Sequence, residues 1–177
     1  TALGRAALFS NTTSQGNTAV GTNALLSNIV GDYSTAIGYR ALENNTASNN
    51  TAVGYQAGYN NTTGDITAIG YQTLLNNTTG IRNTAIGRSA LTANTTGSEN
   101  TAIGTFALTA NTTGSRNTAI GKEVMYSNVS GGSNIAMGYQ TLGSNVSGSN
   151  NVAIGDSALT LNTASQNTAV GYQALQS

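Results

Sequence analysis

Cysteine, histidine, tryptophan and proline are all missing from this 177-residue chain. Without cysteine there is no disulfide framework and no thiol chemistry. Without histidine the Ser-His-Asp arrangement and the usual zinc and copper ligands are lost as well. Charge is scarce too: six Lys plus Arg face six Asp plus Glu, only 7% of residues, and the net charge is zero. Such a chain has no cationic footprint for nucleic acid or anionic lipid, so neither is expected as a partner. The acids Asp32, Glu43, Asp65, Glu99, Glu123 and Asp156 are scattered, without the pairing of a glycosidase or the spacing of a calcium loop. No catalytic residue, metal site or cofactor is therefore expected, and no enzyme. Nothing approaches the roughly eighteen apolar residues of a membrane span, and Thr1-Ala2-Leu3-Gly4 is not a charged start leading into an apolar signal. The expectation is one repetitive segment over 1–177, cut from something longer.

What fills the chain instead is glycine (22), threonine (28) and asparagine (24). That composition alone would suit a disordered low-complexity tract. The order of the residues says otherwise. Ala-aliphatic-Gly recurs with its glycine at Gly4, Gly21, Gly38, Gly54, Gly70, Gly87, Gly104, Gly121, Gly138, Gly155 and Gly171, spaced 17 residues apart or, in three places, 16. So tight a period marks a solenoid, in which each repeat is one coil that buries its apolar face only against its neighbours.

Three positions never vary. Alanine stands two before the glycine, as in Ala85, Ala102 and Ala119 before Gly87, Gly104 and Gly121. Asparagine stands seven after it, at Asn11, Asn28, Asn45, Asn61, Asn77, Asn94, Asn111, Asn128, Asn145 and Asn162. The residue just before the glycine is aliphatic or Met, and the one four after it is Leu except at Gly58 and Met125. Each coil thus offers two large apolar anchors for burial. The shortened coils lose their residue between the asparagine and the next Thr-Ala, so that Asn/Gly/Ser/Thr-rich segment is read as an outward turn.

Thr-Ala-Ile-Gly reads as a short strand with Thr and Ile on one face and Ala and Gly on the other. Tyr-Gln-Ala-Leu is expected as a second strand. A helical hairpin is excluded, since the glycine and the Asn-Thr-Thr-Gly turn leave under ten continuous residues. The fold expected is all-β, a parallel β-solenoid of about eleven coils. Stacked coils place equal residues in columns. A glycine column suits positive φ or the close approach of another chain or sheet. An asparagine column suits either a ladder of amide hydrogen bonds or the satisfaction of turn backbone. The meagre interior of one coil, with a thin strand face repeated in register, points to association of identical chains around an axis.

Thr-Ala-Ile-Gly-x-x-Ala-Leu, as at Thr84 to Leu91 and Thr101 to Leu108, resembles the head repeats of trimeric autotransporter adhesins, which are left-handed parallel β-rolls. With Asn-Thr-Thr-Gly added, the unit is similar to shaft repeats of phage and viral tail fibres. The resemblance implies a homotrimeric extracellular shaft, on a virion or a bacterial surface, that carries a flanking tip for a host or surface receptor, including carbohydrate. With no long apolar run, no part of this segment is expected to insert into a membrane.

Three surface features compete with the shaft reading. Tyr39, Tyr55 and Tyr71 follow the glycine in successive coils and are candidate glycan contacts, although Arg5, Thr22, Arg88, Thr105, Lys122 and Asp156 elsewhere in that column suit a solvent-facing row. The threonine before the invariant alanine, interrupted by Ile135 and Val152, is a candidate ice-binding file. Asn11, Asn61, Asn77, Asn94, Asn111, Asn128 and Asn145 sit in Asn-x-Ser/Thr acceptor sequences and are candidate glycosylation sites. The asparagine persists at Asn28, Asn45 and Asn162 where the acceptor pattern fails, which favours a structural column. The rival to the shaft is accordingly a ligand-binding solenoid for ice or glycan.

Overall fold

The computed structural model describes residues 1–176. Eleven strands form one parallel sheet in chain order: β1 (Ala2–Leu3), β2 (Thr18–Val20), β3 (Thr35–Ile37), β4 (Thr51–Val53), β5 (Ile66–Ile69), β6 (Asn83–Ile86), β7 (Thr101–Ile103), β8 (Thr118–Ile120), β9 (Ile135–Met137), β10 (Val152–Ile154) and β11 (Thr168–Val170). The alanines set the register. Ala85 pairs with Ala102 and Ala102 with Ala119, and the same alignment continues in both directions. The chain is a β-solenoid in which each coil gives one strand and returns through a long turn. At about 4.8 Å per step the stack is a rod about 48 Å long.

Glycine ends each strand. After Ile103 the backbone of Gly104 turns to φ +135°, a conformation that side-chain-bearing residues rarely adopt. A Cβ there would also stand 2.3 Å from the carbonyl oxygen of Gly121. Both demands act on one atom position, and the close neighbour is the next coil of the same chain.

The Tyr-Gln-Ala-Leu stretch is not a strand. Its second and fourth residues take positive φ in coil after coil, as in Gln140 at 52° and Leu142 at 54°, or Gln173 at 54° and Leu175 at 47°. The residues between them keep negative φ, so handedness alternates and the chain bends twice. Ala107 N–H donates to the Gly104 carbonyl at 3.3 Å, and Asn111 N–H to the Leu108 carbonyl at 3.1 Å. Bonding to neighbouring coils persists through the bends. Phe106 N–H donates to the Arg88 carbonyl in the preceding coil at 2.9 Å, and Leu108 N–H to the Val124 carbonyl in the following one at 3.0 Å.

The interior is narrow. It holds the strand alanines, the alanines before the leucines, and Leu25, Leu42, Leu74, Leu91, Leu108, Met125, Leu142 and Leu159, all buried. Full burial of one such leucine stabilises the fold by about 1.5–3 kcal/mol. The aliphatic residue before the glycine is not the second buried anchor that the sequence suggested. Ile37, Ile69, Met137 and Ile154 are 37–40% exposed. Alternation explains this, because alanine inside places Thr and Ile together on the outer face. Only a methyl group fits where the strand passes the leucine column.

Candidate functional site

The asparagine column lines the inside of a bend. Asn94 Nδ2 donates to Asn77 Oδ1 at 2.7 Å and to the Gly97 carbonyl at 2.9 Å, and its own Oδ1 accepts from Asn111 Nδ2 at 2.8 Å. The ladder runs unbroken from Asn45 through Asn61, Asn77, Asn94, Asn111 and Asn128 to Asn145. From Asn77 to Asn145 each amide therefore serves both functions available to it, rung and turn bond, whereas Asn61, in a shortened coil, keeps the rung and donates to Asn50 Oδ1 in place of a turn carbonyl. The acceptor-sequence asparagines from Asn61 to Asn145 are fully buried, so a glycan on any of them would have to displace the ladder. Asn11 is half-buried and donates to the Ser14 carbonyl.

A second asparagine column, four residues before the glycine, escaped the sequence reading. Asn83, Asn100, Asn117, Asn134 and Asn151 are buried, and the Oδ1 of each accepts the backbone N–H of the equivalent residue one coil on, at 2.9–3.0 Å. The amides of Asn83, Asn100, Asn117 and Asn134 also bond the carbonyl of a turn glycine, as Asn100 Nδ2 does to Gly114 at 2.8 Å, and that of Asn151 bonds the Ala164 carbonyl.

Two amide oxygens, Asn28 Oδ1 and Asn145 Oδ1, are buried without a partner among the described residues. Each lies one coil before a shortened coil. In the full coils the asparagine amide reaches the carbonyl three residues on, whereas Asn45 and Asn162 bond Ala47 and Ala164, only two residues on. Drawn into the tighter turn, their amides no longer donate to the preceding asparagine.

Tyr39, Tyr55 and Tyr71 stack along the rod with ring centroids 5.4 and 5.2 Å apart and planes within 13°. Arg88 covers the far side of this stack, 5.8 Å from the Tyr71 centroid. Arg40 lies 4.8 Å over Tyr59, donates to its hydroxyl at 2.7 Å and pairs with Glu43, a contact that raises the affinity of the guanidinium for its proton. The faces of Tyr55 are thus occupied by its own neighbours. A sugar that needs an open ring face finds mainly edges here.

The outer strand face runs the length of the sheet. It presents Val20, Ile37, Val53, Ile69, Ile86, Ile103, Ile120, Met137 and Ile154 in register, beside half-buried threonines such as Thr84, Thr101 and Thr118. Among the described residues no group of three His, Cys, Asp or Glu is placed to hold a metal ion, and no helix is long and apolar enough to cross a membrane. In comparisons with known proteins, the chain matches no family model, no curated protein and no solved structure.

Proposed function

We propose that the chain is the stiff shaft of an extracellular fibre, three copies side by side, which holds a receptor-binding tip away from a virion or cell surface. One observation carries this reading: a row of half-exposed aliphatic side chains runs the length of the rod on one flat strand face. Single exposed aliphatics are ordinary, but a continuous file of them marks an interaction surface. Identical chains related by an axis would bury it against itself. The number three comes from the resemblance to trimeric fibre repeats. The function is mechanical and multivalent, since joined shafts present their tips at high effective concentration.

Sedimentation of the chain with its native flanks tests this. The expected mass is near three chains, and Ile103→Lys with Ile120→Lys should return it to one chain while the β circular dichroism spectrum is kept. A wild-type monomer at micromolar concentration would refute the shaft.

A second reading, a monomeric solenoid that binds ice or glycan, is favoured by the same face in one respect. Thr67, Thr84, Thr101 and Thr118 stand on it in register, and a flat file of hydroxyls and methyls about 4.8 Å apart suits an ordered ligand surface. Thermal hysteresis of a monomeric chain would support it.

A further inference from the structure

Between β7 and β10 the turn surface opens into a cleft of about 480 Å³ whose lining includes Phe106, Glu123, Tyr126, Gln140, Ser144 and Thr160. We propose that this cleft binds a neutral sugar residue of a glycan. The proposal does not depend on how copies assemble, because the lining residues all belong to turns and none to a strand.

The cleft exists because of Gly143. That residue sits five after Gly138, in a column that elsewhere always carries a side chain: Phe9, Leu26, Glu43, Tyr59, Leu75, Thr92, Thr109, Tyr126, Thr160 and Gln176. The fold does not require glycine there. Its φ lies outside the left-handed region, and an added Cβ would meet its nearest neighbour, the Gln140 carbonyl oxygen, at 3.1 Å, against 2.3 Å at Gly104. Gly143 therefore removes a side chain that the coil can hold, and the position next to Tyr126 in the column is left bare. Tyr126 is 48% exposed. It meets Phe106 edge-on, with centroids 6.5 Å apart and planes at 78°, unlike the stacked tyrosines lower in the rod.

The polar groups suit a polyol. Glu123 accepts from Gln140 Nε2 at 2.9 Å and pairs with Lys122 at 3.3 Å. The Gln140 bond, with Lys122 assisting, holds the Glu123 carboxyl below its usual range. An ionised carboxylate has about four acceptor sites; Gln140, Lys122 and the Tyr139 hydroxyl use up to three, so at least one remains for a sugar hydroxyl. Lys122 offsets its charge, so the cleft selects neither a cation nor an anion. Gln140 also keeps its amide oxygen, and Ser144 adds a hydroxyl. An aromatic wall for the apolar face of a pyranose, beside several acceptors and a donor for its rim, is the arrangement a neutral sugar needs. The volume lies within the roughly 300–1,000 Å³ of ligand clefts.

Saturation-transfer NMR on the full chain tests the proposal, with the methyl glycosides of glucose, mannose and galactose, N-acetylglucosamine, and benzyltrimethylammonium as a cationic competitor. At least one sugar should receive saturation on its ring protons. Gly143→Thr fills the notch with the residue that the same column carries at Thr109 and Thr160, so the coil is kept. Tyr126→Thr removes the wall. Each should weaken binding about tenfold or more, the scale of one lost aromatic contact. Replacing Tyr39, Tyr55 and Tyr71 together by Ser should leave binding unchanged. The proposal is overturned if no sugar shows transfer, if only the ammonium binds, or if Gly143→Thr keeps both its melting temperature and full sugar binding.

Discussion

Adding one methyl group at Gly104 tests the steric logic of the whole rod. In Gly104→Ala the new Cβ would lie 2.3 Å from Gly121 O, 2.6 Å from Gly121 C and 3.2 Å from Lys122 N, all backbone atoms of the next coil. A carbon and a carbonyl oxygen rest no closer than about 3.3 Å, so the two coils must part locally by about 1 Å. The strand ladder crosses that gap, with Gly121 N–H donating to Ile103 O at 2.7 Å. Backbone strain from alanine at φ +135° adds about 1–3 kcal/mol, and one or two weakened interstrand bonds add about 1 kcal/mol each. The sum is about 2–5 kcal/mol. For a chain of this size that corresponds to a fall in melting temperature of about 5–20 °C. Gly143→Ala serves as an internal control, because it lacks the positive φ and its Cβ would stand 3.1 Å from the Gln140 carbonyl oxygen, a contact relieved by a few tenths of an ångström. It should melt within about 3 °C of the wild type, as surface substitutions do. Circular dichroism melting of both variants at equal concentration, with hydrogen exchange to locate the damage, reads the result. Exchange should rise in the coils of β7 and β8, on either side of the gap, before it rises at the ends. The reasoning is refuted if Gly104→Ala melts with the wild type, or if the two alanine variants lose the same stability.

The shortened coils offer a repair. Inserting one glycine between Ala47 and Ser48 lengthens the turn to match Asn94-Thr95-Thr96-Gly97-Ser98, which should let Asn45 donate to the orphaned Asn28 Oδ1 and raise stability by about 1 kcal/mol, or about 3 °C by calorimetry. Asn94→Asp should do the opposite, because a buried carboxylate replaces the donor that faces Asn77 Oδ1 and Gly97 O. Its folded pKa is expected above the unfolded value of about 3.9, so the deficit against wild type should be smallest in acid and grow as pH rises through that value, as melting curves against pH would record. Glu123 behaves in the reverse sense. Its folded carboxyl is lowered, chiefly by Gln140, so its contribution is present above the ordinary glutamate range and lost as pH falls through the folded value. Carboxyl NMR titration should find it below about 4.3, and Gln140→Leu should move it back up.

The period was legible because parallel in-register stacking forces every coil to solve the same packing problem at the same position. Ala102 must be small and Gly104 must lack a Cβ for reasons that recur in every coil between the two terminal ones. What the pattern could not give was direction. Alternation says that Ala102 and Ile103 face opposite ways, but not which faces inward. That choice belongs to the leucine column, which arrives from the turn and fills the interior first. The second strand failed for a related reason: the sign of φ at Gln140 and Leu142 is invisible in residues that usually favour negative φ. The second asparagine column was present in the letters but interrupted by Ser34 and Ile66. Both interruptions are tolerated because the backbone N–H of each still reaches the preceding asparagine, Ser34 to Asn17 Oδ1 at 2.8 Å and Ile66 to Asn50 Oδ1 at 3.0 Å. Ser34 Oγ takes over as acceptor for Asn50 N–H, and at Ile66 the strand lengthens by one residue to pair with Asn83. The cleft at Gly143 had a signal too, a lone glycine in a column of side chains, but only the φ values and the space beside the backbone separate it from the glycines the fold requires.

The alternating handedness bears on why such a chain would serve as a shaft. Residues such as Phe106 at φ 60° and Leu108 at φ 50° sit where a side chain is disfavoured, each by about 1 kcal/mol or more. No bond within the coil compensates both. Phe106 is held by the coil before it and Leu108 by the coil after it, through the hydrogen bonds to Arg88 and Val124. Each coil's conformation is therefore set from both sides, as are its asparagine rungs. A coil cannot bend away from one neighbour without releasing its own strained turn, so departures from the stacked geometry meet resistance along the rod. Variation in length is confined to the asparagine-to-threonine turn, where the one-residue deletions lie. Gly143 lies two residues before Asn145, outside that turn, and its notch removes a side chain without changing the length of the stacked path.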